Sequence, residues 1–167
     1  FPAVFDYNVD GLADIVLGSF GRAIVGGGFN YGMTLLENTG TASNPSFNIV
    51  TYDYAGLSSL LMNGLYPTFG DLDGDGDVDM ICGAQDGTLT YLENTAGPFD
   101  PAVWAAPVLN YKGIDVGDAS APFFVDLDRD NDLDLAVGQY TGTIHYFENA
   151  GTPTIPDFSP SGSPTNL

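Results

Sequence analysis

Apolar residues in this chain come in short runs, each stopped by a glycine, a proline or an acidic stretch, and the same order of runs recurs three times. Ile15-Val16-Leu17-Gly18, Met80-Ile81-Cys82-Gly83 and Leu135-Ala136-Val137-Gly138 form one set. They are too short for helices and end on a breaker, which predicts buried strands. Upstream lie Pro2-Ala3-Val4-Phe5, Pro67-Thr68-Phe69-Gly70 and Pro122-Phe123-Phe124-Val125. Proline suits the first residue of a strand, where a missing N–H costs little. A third set, Met33 to Asn38, Leu89 to Asn94 and Ile144 to Asn149, closes on Glu-Asn each time. A fourth, more variable strand is predicted over Ser46 to Tyr52 and Val103 to Tyr111.

Four short strands per unit, repeated along the chain, predict an all-β fold of four-stranded antiparallel blades repeated radially, as in a β-propeller. About three blades are expected, over residues 1–55, 56–111 and 112–151. The first carries an insertion, Ser19 to Tyr31, with Gly26-Gly27-Gly28 at its centre. Thr152 to Leu167, with Pro153, Pro156, Pro160 and Pro164, reads as a linker-like tail or the start of a next strand. Three blades fall short of a closed ring, so further blades of the same chain or another copy are expected to complete it. No apolar run reaches the length of a membrane span.

Between the first two strands of every unit sits the same acidic loop. It runs Asp6-Tyr7-Asn8-Val9-Asp10-Gly11-Leu12-Ala13-Asp14, then Asp71 to Asp79 as DLDGDGDVD, then Asp126 to Asp134 as DLDRDNDLD. Oxygen side chains recur at positions 1, 3, 5 and 9. These are Asp6, Asn8, Asp10 and Asp14; Asp71, Asp73, Asp75 and Asp79; and Asp126, Asp128, Asp130 and Asp134. Carboxylates this close repel by about 3 to 4 kcal/mol per neighbouring pair at an effective dielectric near 20. Oxygen-only ligands on a flexible loop favour Ca²⁺, one ion per loop and three in all, with the backbone carbonyl at position 7 (Leu12, Asp77, Asp132) as a further ligand. The EF-hand pattern is excluded, because position 12 is Leu17, Cys82 or Val137 where that loop needs Glu.

The charge follows from these loops. The chain has 167 residues and a formal net charge of −19, and the loops hold thirteen of its 22 acidic residues, three in the first and five in each of the others. Arg22, Lys112 and Arg129 are the only Lys and Arg residues. No basic stripe exists for phosphate backbones, so nucleic acid is not an expected partner.

The remaining polar residues read as structure. His145, the single histidine, aligns with Thr34 and Thr90 on a repeated strand, and Cys82, the single cysteine, aligns with Leu17 and Val137. Glu37, Glu93 and Glu148 recur with Asn in every unit, and repetition argues for a turn over chemistry. No catalytic centre is expected. Phe29, Tyr31, Tyr66, Trp104 and Tyr140 lie in or near predicted loops and are the candidates for a glycan or protein ligand surface.

These residues resemble the FG-GAP and VCBS-type repeats, the calcium-bearing blades of integrin alpha-subunit propellers and of secreted bacterial repeat proteins. The segments PTFGDLDGDGDVDMICG from Pro67, GIDVGDASAPFFVDLDRDNDLDLAVG from Gly113 and YFENAGTP from Tyr146 carry the resemblance. Two positions depart from it: Asn131 stands where the other copies have Gly11 and Gly76, and Asn8 replaces an Asp. Asn tolerates left-handed backbone and still offers an oxygen. The resemblance implies an extracellular module, secreted or at the cell surface, with structural calcium and a role in adhesion, display or scaffolding. The alternatives are a lectin-like propeller or an accessory domain of a secreted polysaccharide-degrading enzyme.

Overall fold

The computed structural model describes residues 1–158 together with the backbone of 165–166. Three four-stranded antiparallel sheets follow one another along the chain. The first contains β1 (Pro2–Phe5), β2 (Asp14–Leu17), β5 (Met33–Asn38) and β6 (Phe47–Tyr54). Its insertion forms a small hairpin, β3 (Arg22–Ala23) and β4 (Phe29–Asn30). The second sheet runs β7 (Tyr66–Gly70), β8 (Asp79–Gly83), β9 (Leu89–Leu92) and β10 (Val108–Leu109), and the third runs β11 (Ala121–Val125), β12 (Asp134–Gly138), β13 (Ile144–Phe147) and β14 (Thr165–Asn166). Each is a meander in chain order, and the first strands lie side by side, β1 against β7 and β7 against β11.

Strand alternation explains why the sheets stack. All five residues of β8 are buried, and successive side chains point to opposite faces. Met80 and Cys82 join Val16, Met33, Leu35, Leu57 and Leu92 in one core between the first and second sheets. Ile81 joins Leu89, Phe124, Leu135, Val137 and Phe147 in another, between the second and third. Each fully buried aliphatic contributes about 1.5–3 kcal/mol. The glycine closing strand two in the first two units is required by this stacking. A Cβ on Gly18 would collide with the Leu65 carbonyl oxygen, and one on Gly83 with that of Ser120.

Three features differ from the sequence expectation. The fourth strand of the second unit is split: Trp104 bridges Asn94, and pairing resumes only at Val108 against Tyr91. Between these pairs three residues, 105–107, oppose two, 92–93, and Pro107, which has no N–H to donate, lies within the bulge. The segment from Thr152 onward follows the second of its two expected readings, the start of a next strand, and the departure is how firmly its described part is held. Phe158 is fully buried in the core of the second and third sheets, and the Asp157 N–H donates to Asn149 Oδ1 at 2.8 Å. Beyond it β14 completes the third sheet, so that unit runs past residue 151. Residues 159–164 and 167 of the expected tail lie outside the described residues. Finally, Trp104 is half-buried and packs with Phe5, Tyr54 and Phe69 against the core of the first and second sheets.

Candidate metal centre

Each acidic loop is a tight spiral whose own carboxylates hold its backbone. Asp71 accepts from the N–H groups of Gly74 at 2.8 Å and Gly76 at 3.1 Å, Asp73 from Asp75 at 3.3 Å, and Asp75 from Asp77 at 3.0 Å. The third loop repeats most of the set, with Arg129 N–H on Asp126 at 2.7 Å, Asp130 on Asp128 at 3.2 Å and Asp132 on Asp130 at 3.1 Å. In the first, Asp6 accepts from Asp10 at 3.0 Å and Gly11 at 2.8 Å, and Asp10 from Leu12 at 2.8 Å. The spiral needs left-handed backbone at positions 4 and 6. Gly74 and Gly76 supply it freely, Asn131 takes it at φ 74°, and Val9 and Arg129 are held there at 58° and 69°. A β-branched residue with positive φ is strained.

This winding brings oxygens together. Asp71, Asp73 and Asp75 each present a carboxylate oxygen within 4.8 Å of the others, and so do Asp126, Asp128 and Asp130. The first loop forms no such trio of acids. There Asn8 stands at position 3, its Nδ2 donating to Asp10 at 3.1 Å and to Glu37 Oε1 at 3.3 Å. Hydrogen bonding within a loop does not by itself call for an ion. The seventh residue adds a buried acid: Asp77 is 5% exposed and Asp132 6%, and among the described residues neither Asp77 carboxylate oxygen nor Asp132 Oδ1 has a hydrogen-bond partner. Burial, then the carboxylates of Asp75, Asp73 and Asp71, push Asp77 up to about 6. Burial, then Asp130, does the same for Asp132. A buried carboxyl beside other carboxyls and without a donor is a costly arrangement that a cation would relieve.

The ninth residue has a second role that spacing did not disclose. Asp14, Asp79 and Asp134 are essentially fully buried. One oxygen of each accepts from the N–H of the loop's second residue, Tyr7, Leu72 or Leu127, at 3.0–3.1 Å. The other accepts from the N–H of the Glu-Asn turn, Asn38, Asn94 or Asn149, at 2.7–2.9 Å. Burial raises Asp79 to about 6 despite those two N–H groups. Tyr146 O–H donates to Asp134 at 2.7 Å. The asparagines pass the connection on: Asn38 Oδ1 accepts from Gly40 and Ser46, Asn94 from Ala96 and Val103, and Asn149 from Gly151 and Asp157. Recurrence of Glu-Asn could have signalled this clamp. The glutamate also lies closer to the loop than a turn role implies, as the Asn8–Glu37 contact shows.

The aromatic candidates are not gathered into one surface. Trp104 is half-buried against the core, Tyr66 lies tilted against Phe1 with ring centroids 3.9 Å apart, Phe29 and Tyr31 lie 6.3 Å apart on the inserted hairpin, and Tyr140 stands 80% exposed on the third sheet's 139–143 turn. His145 Nε2 lies 3.2 Å from Gln139 Oε1, and burial pushes the Cys82 thiol up to about 12.

Residues 71–137 match the FG-GAP-like repeat, from the first aspartate of the second loop to Val137 in the strand that follows the third. No curated protein matches the chain. No solved structure matches it either.

Proposed function

From an FG-GAP-like repeat at the centre of an all-β chain, we propose that this protein is an extracellular β-propeller-type module in which three Ca²⁺ ions, one per acidic loop, hold the blades rigid for adhesion, surface display or scaffolding. The ligands are Asp6, Asn8, Asp10 and Asp14; Asp71, Asp73, Asp75 and Asp79; and Asp126, Asp128, Asp130 and Asp134. The observation that carries the reading is the acidic trio of the second and third loops, each followed by one buried aspartate, Asp77 or Asp132, with oxygen that meets no donor among the described residues. The kinship is with FG-GAP and VCBS-type repeats, and an outside location rests on that kinship. The ion is structural, since the last aspartate of every loop also joins it to the turn after the third strand. The module is not an enzyme: the buried thiol of Cys82 is unreactive, and the single histidine is engaged with Gln139 on an ordinary strand.

Further blades, from the same chain or another copy, are the first partners. On the outward face of the first sheet, Val4, Ile15, Leu36 and Ile49 form one cross-strand row, with Val4 and Ile49 exposed. Their counterparts in the second sheet, Phe69, Met80 and Leu92, pack against the neighbouring sheet. The third sheet's outward face carries Phe123, 65% exposed, and Gly138. Among the described residues no close backbone lies over Gly138, unlike Gly18 and Gly83. A surface protein or glycan is the functional ligand of the assembled module.

Calorimetric titration of the chelator-treated chain with Ca²⁺ tests the metal reading. Three bound ions and a rise in melting temperature are expected. No binding at millimolar Ca²⁺ would end it.

A further inference from the structure

We infer that a second copy of this chain docks head to tail, with Val125 and Leu127 of one third sheet seated in a hollow on the other copy's first sheet, and that two such contacts close a ring of six sheets. This rests on the propeller-type reading above and deepens it, because that reading leaves the first partner as either further blades or another copy.

The chain already makes this contact twice. The residue before an acidic loop and the loop's second residue pack onto the next sheet. Phe5 stacks on Phe69 with ring centroids 4.1 Å apart, and Tyr7 packs against the same core, its carbonyl accepting from Ala102 N–H at 3.1 Å. In the next pair Gly70 holds the place of Phe5, and a Cβ there would meet Phe124 and Leu133 at 2.9 Å. Leu72, in the place of Tyr7, is 2% exposed. The third sheet carries the same two positions as Val125 and Leu127, but Leu127 is 49% exposed. The receiving positions repeat as well. Phe69, Val78 and Met80 in the second sheet, and Phe124, Leu133 and Leu135 in the third, correspond to Val4, Ala13 and Ile15 in the first. Among the described residues nothing covers these: Val4 is 60% exposed and, with Gly11, Ala13, Ile15, Pro45 and Phe47, lines an open hollow of about 360 Å³. Donor and receiver of one repeated interface therefore both stand open on the same chain.

Charge and closure favour a copy as the occupant. The loop's fourth residue lies beside the next sheet's turn: a Cβ on Gly74 would meet Thr154 at 2.8 Å and the Pro153 carbonyl oxygen at 2.9 Å, and Val9 shares a cavity with Pro98. In the third loop that residue is Arg129, the only Lys or Arg in the three loops. Ala42 stands where Pro98 and Pro153 stand, and it shares the hollow with Gly11 of the acidic first loop. Docking in the repeated register thus brings a cation to an acidic rim. Two copies supply six sheets, within the roughly four to eight that close a propeller. A two-fold axis then uses the same contact twice and leaves neither face open.

The test is sedimentation equilibrium of the full chain at millimolar Ca²⁺, with Ca²⁺ titration of the same samples. Wild type should sediment with the mass of a dimer. Leu127→Ser spoils the inserting side and Val4→Asp the hollow, both at exposed positions, so each variant alone should lose the dimer at both contacts. Mixed in equal amounts, the two variants still hold one intact inserting side and one intact hollow, and they should form a one-to-one pair. Phe99→Ser, at a residue 86% exposed on the second sheet's turn, should leave the wild-type dimer unchanged. A wild-type monomer that binds three Ca²⁺ ions would overturn the inference and leave the reading above standing, and so would a dimer that survives either variant or a mixture that fails to pair. A dimer that takes up no Ca²⁺ would instead remove the metal reading and leave the contact in place.

Discussion

Replacing Asp79 with alanine in chelator separates the clamp from the cage. The Asp79 carboxylate, 1% exposed, accepts from Leu72 N–H at 3.1 Å and Asn94 N–H at 2.9 Å. Truncation leaves both donors buried and unpaired, at about 1–3 kcal/mol each. Some of that is returned, because burial already disfavours the ionised form and holds this group at about 6. A net loss of about 2–4 kcal/mol is expected, which for a domain this size lowers the melting temperature by roughly 5–15 °C. Asp75 is the comparison. It is exposed and holds only Asp77 N–H, at 3.0 Å, so in chelator Asp75→Ala should cost under about 1 kcal/mol, as lost repulsion offsets the lost bond. Thermal melts in EGTA, followed by circular dichroism, measure both. With Ca²⁺ the two variants should each lose one ion. Equal melting of Asp79→Ala and Asp75→Ala in EGTA would refute the clamp, because the aspartates would then differ only as ligands.

Acid should stabilise the cation-free chain. Asp77, Asp79 and Asp132 are raised to about 6 in the folded state, so their contribution is fully present below the unfolded carboxyl range and is lost as pH rises through about 6. Melts in EGTA should fall between pH 4.5 and 7.5, and saturating Ca²⁺ should reverse that slope. Val9→Gly should raise stability by about 1 kcal/mol in either condition, since glycine relieves the strained φ of 58° that Gly74 occupies freely in the second loop, and a melting temperature unchanged or lowered would contradict this. Outward-face substitutions Val4→Asp and Phe123→Asp should suppress any concentration-dependent association seen by sedimentation, while the buried core substitution Ile81→Ala should instead cost about 2–5 kcal/mol of stability. Association that survives both aspartates would place the contact elsewhere.

Local signals in the sequence located the strands and loops well, because both depend on residues close in the chain. Alternation and terminal glycines place β1, β2, β5, β7, β8, β9, β11, β12 and β13, and Asn131 takes the left-handed conformation expected of it. What escaped was set by distance. Asp14 meets the N–H of Asn38, Asp134 that of Asn149, and Phe158 fills a core built by two sheets, none of which shows in the spacing of neighbours. The proline-rich composition around Phe158 argued for a tail, yet a single aromatic with a pocket to fill outweighed it. Likewise Trp104 looked available on a loop because nothing local revealed Phe5 and Phe69, distant in sequence, closing around it.

Burial of both faces of β8 separates residues that the chain makes adjacent. Ile81 and Cys82 are consecutive, yet each belongs to a different core, whereas Cys82 shares one with Leu35, 47 positions earlier. In a double-mutant cycle the effects of Ile81→Val and Cys82→Ala should therefore nearly add, and those of Cys82→Ala and Leu35→Ala should not. Energetic neighbourhood in this protein runs across the strands at right angles to the covalent chain, so a variant at one interface can be repaired from a sheet away but not from the next residue along.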